Sequence, residues 1–305
     1  MNADGVFEGG GVKAIGFVGA VCKMEEAGFK WQRLAGTSAG AIVASLLAVG
    51  YTGKELKEII SGIDYLSFVD GKSLKQISFI KNTFNLLTKY GFYSGDKIEI
   101  FLNNLFQKKG RTKFKNICSS NNCKLKVIIS DITRKKAVIF PDDLKEYNID
   151  AKEFSIARAV RMSISLPYYF QPVTLNYKDN LDYMVDGGIF SNFPVWLFDV
   201  DGIPRWPTIG FKLVDSDPGK IKKNNILTFT KDLLDSVIYT SDETFITNKD
   251  KVRTINIPTM GVKTTEFNIS KEKSKELYSS GYNSAENFLS EWNFNQYIRS
   301  YRKKS

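Results

Sequence analysis

Leu34-Ala35-Gly36-Thr37-Ser38-Ala39-Gly40 stands between an incoming apolar segment and a small, uniformly apolar run from Ala39 to Val49. The Gly-x-Ser-x-Gly spacing reads as a tight strand-to-helix elbow, in which glycines two positions either side of the serine let the backbone fold closely without Cβ clashes. Ser38 is then pushed out over a helix start, where backbone N–H groups favour an anion nearby. The alternative is a glycine-rich turn with an incidental serine.

A second glycine-rich loop lies upstream. Gly9-Gly10-Gly11-Val12-Lys13 follows the short apolar stretch Gly5-Val6-Phe7 and opens a helix-like run from Ala14 to Ala27. Such a run exposes several N–H donors together, as stabilising the oxygen of a tetrahedral intermediate requires, and Lys13 adds a cation. Phosphate binding is the competing use, but neither nucleotide-loop pattern, Gly-x-x-x-x-Gly-Lys-Ser/Thr nor Gly-x-Gly-x-x-Gly, can be read across it.

The 305 residues include no histidine, so a Ser-His-Asp triad is impossible. If Ser38 is a nucleophile, a carboxylate, a lysine or a substrate group must take its proton. In Tyr183-Met184-Val185-Asp186-Gly187-Gly188 an aspartate leaves a strand into two glycines, where its carboxylate can face a cleft. Asp-Gly is also a common turn in which the aspartate bonds its own backbone. With histidine absent and two anion-stabilising loops present, Asp186 is the best candidate base, and an ordinary aspartate would stay ionised far below neutrality.

Alternating strand-like and helix-like segments favour an α/β protein with helices on both faces of a sheet. Thr52 to Glu55 is a capping box for a helix to about Gly62. Residues 63–92 read as loop and short helix, a lid over the site, and a helix begins at Ser94-Gly95-Asp96 and runs through Phe106. Lys124–Ser130 and Lys136–Phe140 form a strand pair. Asp150 to Glu153 is expected to cap a helix ending before Pro167. Further strands are expected at Tyr183–Val185, Ile209–Val214 and Val252–Ile257, with helices between Asn225 and Thr247 and from Ser270 onward. Composition is ordinary for a globular chain, 43% hydrophobic and 25% charged, and one domain over 1–305 is expected: a motif-bearing core of about 5–215, then a helical extension over 216–305 packed on it.

The net charge of +10 draws anionic partners. Basic residues bunch at Lys108 to Lys115, Arg134 to Lys136, Lys220 to Lys223 and Arg302 to Lys304, outside any nucleic-acid-binding pattern, so no nucleic-acid partner is expected. Transient docking on an anionic membrane through Lys108, Lys109, Arg111, Lys113 and Lys115 is the expected use. Cys22, Cys118 and Cys123 read as free thiols of a cytoplasmic protein, and no spanning or signal-like stretch is visible; secretion without a cleavable signal stays open. Two nearby cysteines without histidine fall short of a metal site.

Taken together, the three stretches resemble the patatin-like phospholipase family: a Gly-Gly-Gly-x-Lys/Arg loop, a Gly-x-Ser-x-Gly elbow and an Asp-Gly-Gly/Ala segment in that order. A fourth, Ala159-Val160-Arg161-Met162-Ser163-Ile164-Ser165-Leu166-Pro167, is similar to the family's Ala-x-x-Ala-Ser-x-x-x-Pro segment, with Met162 where a small residue is usual. The resemblance implies a three-layer α/β/α fold with a mainly parallel sheet and a Ser-Asp dyad acting on acyl esters of lipids such as phospholipids, without metal or organic cofactor. Ser38 would be the nucleophile, Asp186 its base, the Gly9, Gly10 and Gly11 loop the oxyanion hole, with Lys13 supporting it. Acyl transfer to another acceptor and a silent lipid- or nucleotide-sensing module are the alternatives.

Overall fold

The structure, a computed structural model, describes residues 1–63, 65–68, 88–119, 122–178, 180–215 and 247–302. The expected lid therefore lies largely outside the described residues, as do the helix expected after Asn225, the basic run at 220–223 and Lys303 and Lys304.

Apolar runs broken by glycines and capping residues set the first elements. Strand β1 (Asn2–Phe7) is followed by helix α1 (Ile15–Glu26), and β2 (Lys30–Thr37) by α2 (Ala39–Ala48). Helix α3 (Gly53–Ser61) starts in the capping box read from the sequence, Thr52 and Glu55 each bonding the other's backbone N–H. Next come β3 (Gly91–Tyr93), α4 (Asp96–Lys108), the two-residue strands β4 (Cys118–Ser119) and β5 (Asn122–Cys123), β6 (Leu125–Asp131) and β7 (Lys136–Phe140). Helix α5 (Ile156–Ser163), β8 (Tyr168–Phe170), β9 (Val173–Tyr177), β10 (Asn180–Asp186) and β11 (Thr208–Val214) complete the part before residue 216. Beyond it lie α6 (Asn248–Lys251), β12 (Thr254–Pro258), α7 (Lys271–Glu291) and α8 (Phe294–Tyr301).

The central sheet runs β12-β11-β1-β2-β6-β10-β9, with β7 also on β6. From β12 to β6 every pairing is parallel; β10, β9 and β7 are antiparallel to their neighbours. One face is packed by α1, α2 and α5, where Phe7 stacks on Phe211 and meets Phe17 edge-on. Against Val6 and Ala35, on the other face, lie Phe193, Val195 and Phe198. Helix α7 crosses α1 at glycine contacts: a Cβ on Gly19 would overlap the Tyr278 carbonyl, and one on Gly281 the Gly16 carbonyl. The C-terminal part is thus joined to the sheet by β12 and to α1 by α7.

The site-forming feature of this sheet is a collision. Val127 of β6 pairs with Gly36 of β2 on one edge and with Phe140 of β7 on the other, while Ile129 pairs with Asp186 of β10 and with Val138 of β7. Strands β2 and β10 therefore share one edge of β6 and run at each other, β2 ending at Thr37 opposite Ile128 and β10 ending at Asp186 opposite Ile129. Neither can continue, so both chains leave the sheet there.

Two expectations need correcting. The helix before Pro167 starts at Ile156, capped by the Ser155 hydroxyl, because residues 152–156 run beside 112–115 (Lys115 N–H to Lys152 O, Phe114 N–H to Phe154 O, Ile156 N–H to Thr112 O). Cys118 and Cys123 are not free thiols: hairpin pairing sets them opposite each other and they are joined as a disulfide, leaving Cys22 free and buried. In the basic run at 108–115, Lys109 pairs with Glu55 at 2.7 Å, and Lys113 and Lys115 share Glu153 at 2.8 and 2.7 Å. No helix among the described residues is long and apolar enough to cross a membrane.

Candidate active site

Ser38 leaves β2 with φ 51° and ψ −126°, a conformation that costs an L-residue of order 1–3 kcal/mol and persists only where surroundings impose it. The glycines of the elbow explain how. A Cβ on Gly36 would overlap the backbone of Gly40, and one on Gly40 would overlap the carbonyls of Phe7 and Glu8 at the end of β1. Any larger residue at either place would push α2 off the strand ends. The Ser38 N–H is held by the Ser163 hydroxyl at 2.9 Å, and the Ser38 carbonyl accepts the Ala41 N–H.

On the other side of the collision, Asp186 turns out of β10 into a single helical turn, Gly187–Ile189. Gly187 is required there, since a Cβ would overlap the Ile128 carbonyl. Asp186 makes a different contact through each oxygen: Oδ1 accepts its own turn's Gly188 N–H at 2.9 Å, and Oδ2 accepts the Ser38 hydroxyl at 2.5 Å. Asp186 is buried, 4% exposed, and no lysine or arginine reaches it among the described residues. Burial pushes its carboxyl up to about 6, with the Ser38 and Gly188 hydrogen bonds pulling the other way. The expectation of a base ionised far below neutrality is thereby corrected: sequence gives the residue type but not its desolvation.

The glycine loop after β1 runs beside the elbow, the Gly9 Cβ position lying 3.3 Å from the Ser38 Cβ and against the Asn192 side chain. Gly9 N–H is committed to the Asn192 carbonyl at 3.3 Å, which removes it from the three expected donors. Among the described residues the N–H groups of Gly10 and Gly11 meet no protein acceptor. Gly11 has φ 56°, and Thr264 closes over it: its carbonyl takes the Val12 N–H at 3.1 Å and leaves no room for a Gly11 Cβ. Lys13 turns to Asp215, 3.2 Å from Oδ2, and the Thr259 hydroxyl bonds the same carboxylate, so Lys13 ties the loop to the end of β11.

No sequence feature marks Ser163, Asn192 or Thr264 for a part in the site. Ser163 lies in the Ala159–Pro167 segment, but nothing in its neighbours signals that its hydroxyl meets an elbow far away in the chain. Among the described residues no cluster of three or more Cys, Asp or Glu is arranged to hold a metal ion. A half-buried hydroxyl on a desolvated carboxylate, beside unengaged N–H groups and the start of α2, can deliver a nucleophile and hold an oxyanion.

A model of the patatin-like phospholipase family matches residues 5–199. The Bacillus subtilis protein YqhO is 35% identical over 300 residues, covering 96% of this chain and 100% of that protein. A probable lipid hydrolase, 463L, of Invertebrate iridescent virus 6 is 24% identical over 194 residues, 62% of this chain and 61% of its own. Among solved structures, VipD from Legionella pneumophila matches with a TM-score of 0.56 at 18% identity, over 94% of this chain and 66% of that chain. ExoU of Pseudomonas aeruginosa, in its heterodimeric complex with SpcU, matches with a TM-score of 0.51 at 17% identity, over 98% of this chain and 52% of that one. At such identities the likeness to the two solved structures is one of fold, and this chain spans about two thirds and about half of their lengths.

Proposed function

Since the chain belongs to the patatin-like phospholipase family, we propose that it is a lipid acyl hydrolase in which Ser38 and Asp186 act as a catalytic dyad. The observation that carries this reading is the 2.5 Å hydrogen bond from the Ser38 hydroxyl to a buried Asp186 carboxylate in a chain without histidine. As Ser38 Oγ attacks the acyl carbon, its proton passes to Asp186 Oδ2 and the carbonyl oxygen becomes an oxyanion, which Gly10 and Gly11 N–H receive with the start of α2 beside them. Collapse breaks the ester bond; the departing alkoxide takes the proton from Asp186 and leaves as an alcohol. Water then repeats the sequence. It gives a proton to Asp186, its oxygen attacks the acyl-Ser38 carbon, and the returning proton re-forms the serine hydroxyl as the carboxylic acid departs.

A base near 6 suits this work better than an ordinary aspartate, because proton transfer is most effective when the catalytic group lies close to the working pH. Lipid as the substrate class follows from the family and from a relative described as a probable lipid hydrolase. Water as acceptor distinguishes this reading from acyl transfer. Incubation with phospholipid vesicles should release free fatty acid in the parent and, after Ser38→Ala, at least about 10³-fold more slowly. Equal release by a folded S38A protein contradicts the proposal, and acyl groups recovered on an added alcohol in place of free acid would reassign it to transfer.

A further inference from the structure

Where β2 and β10 meet, the edge of β6 is left with a gap that neither strand fills. The Ser38 N–H lies at the end of β2, half-buried, and the carbonyl of buried Ile128 beside it on β6. The Ser163 hydroxyl, itself wholly buried, lies between them: it accepts from Ser38 N–H at 2.9 Å and donates to Ile128 O at 2.6 Å. The direction is fixed, because an N–H can only donate and a carbonyl can only accept. The same carbonyl is packed against Gly187, directly after Asp186.

Two residues on, the Ser165 carbonyl accepts the Asp186 N–H at 2.9 Å. Ser165 is held in turn by Arg161, which is 2% exposed: its Nη1 donates to Ser165 Oγ at 2.5 Å, and its Nη2 to the carbonyls of Gln171, at 2.9 Å, and Ser94. One turn at the end of α5 thus holds the backbone of both Ser38 and Asp186, from a helix that carries neither.

We propose that Ser163 is a positioning residue: its hydroxyl replaces the missing strand pairing at the β2–β10 junction and keeps the Ser38 backbone at positive φ, so that Oγ meets Asp186. The same contact removes Ser38 N–H from the groups able to face an oxyanion, leaving that task to Gly10 and Gly11. In Ser163→Ala the Ser38 N–H and the Ile128 carbonyl both lose their buried partner, and the elbow relaxes. In Ser163→Thr the hydroxyl remains.

The kinetic part rests on the Ser38–Asp186 reading; the backbone part does not, and the test separates them. Hydrogen exchange at the Ser38 amide, kcat and KM on a short-chain nitrophenyl ester, and the rate of fluorophosphonate labelling are compared in the parent, S163A, S163T and S163C, with melting curves as a check on folding. Expected in S163A are Ser38 amide exchange at least about tenfold faster, kcat and labelling reduced about 10–100-fold, and KM within about twofold, with S163T close to the parent in every readout. S163C, nearly isosteric but a weak acceptor, should fall between and decides the question if S163A does not fold. Parental exchange at Ser38 in S163A, or in S163C where that is the folded variant, overturns the proposal, and so does faster exchange with kcat unchanged in an active enzyme. If the parent neither turns over nor labels, the dyad reading fails, and exchange alone decides whether Ser163 holds the elbow.

Discussion

Asp186 and Asp199 sit on the same stretch of chain and meet opposite fates. Asp186 is buried among a hydroxyl and one backbone N–H, and its carboxyl is driven up to about 6. At Asp199, burial also works against the charge, but Arg253 at 2.6 Å, Arg302 at 2.7 Å and Lys249 at 2.9 Å hold the carboxyl below its ordinary value. Cations make Asp199 a clamp joining α6 and α8 to the segment after β10. No cation stands beside Asp186 among the described residues, and a buried carboxylate without a counter-ion is costly to keep ionised and is therefore a stronger base. Burial alone distinguishes neither; the charge of the neighbours does.

The largest effect that would break the contrast is at Asp186. Asp186→Asn should lower turnover about 10³–10⁴-fold, and adding Ser38→Ala should cost scarcely more, because the two residues act in one proton-coupled step. The same substitution should stabilise the protein. A carboxyl raised in the folded state favours folding fully below the unfolded value near 3.8, and that contribution is lost as pH rises through about 6. The stability of D186N relative to the parent should therefore climb between about pH 4 and 6 and reach a plateau, up to about 3 kcal/mol, above it. Denaturant melts across that range check this, and a gap that is flat with pH would show that Asp186 is not lifted.

Asp199→Ala works the other way and more weakly. Among the described residues it leaves buried Arg253 with Asp250 alone as an acidic partner, so we expect a loss of about 2 kcal/mol, less than the 3–5 typical of a buried pair broken outright. Turnover should stay within about threefold of the parent. Melts and ester hydrolysis on the same sample measure both, and a fall in kcat comparable to that of D186N would mean that the clamp and the dyad are one unit.

Much of the site was legible because its constraints are local. Gly36 and Gly40 flank Ser38 at the spacing an elbow imposes, and the Asp186-Gly187-Gly188 turn announces an aspartate leaving a strand. What was not legible depends on which edge of β6 each strand takes. Nothing in Lys30–Thr37 or Asn180–Asp186 says that these strands end against each other, so neither the bridging role of Ser163 nor the depth of Asp186 could be read. Gly9, Gly10 and Gly11 look equivalent until Asn192 claims the first. In the run from Lys108 to Lys115, nothing in the neighbouring sequence shows that Lys109 pairs with Glu55, that Lys113 and Lys115 pair with Glu153, or that Arg111 bonds the Val49 carbonyl at the far end of the helix that starts beside Ser38. Ten residues of helix, about 15 Å, separate that carbonyl from the elbow.

The central claim, that buried Asp186 activates Ser38, is tested most directly by the rate of fluorophosphonate modification at Ser38 from pH 4.5 to 9, in the parent and in D186N. The base must be ionised to accept the serine proton. The parent rate should therefore rise through a single inflection near pH 6 and stay level to pH 9, while folded D186N should show a slow rate without that inflection. Parental labelling in D186N, or an inflection near 6 that survives the substitution, would contradict the account.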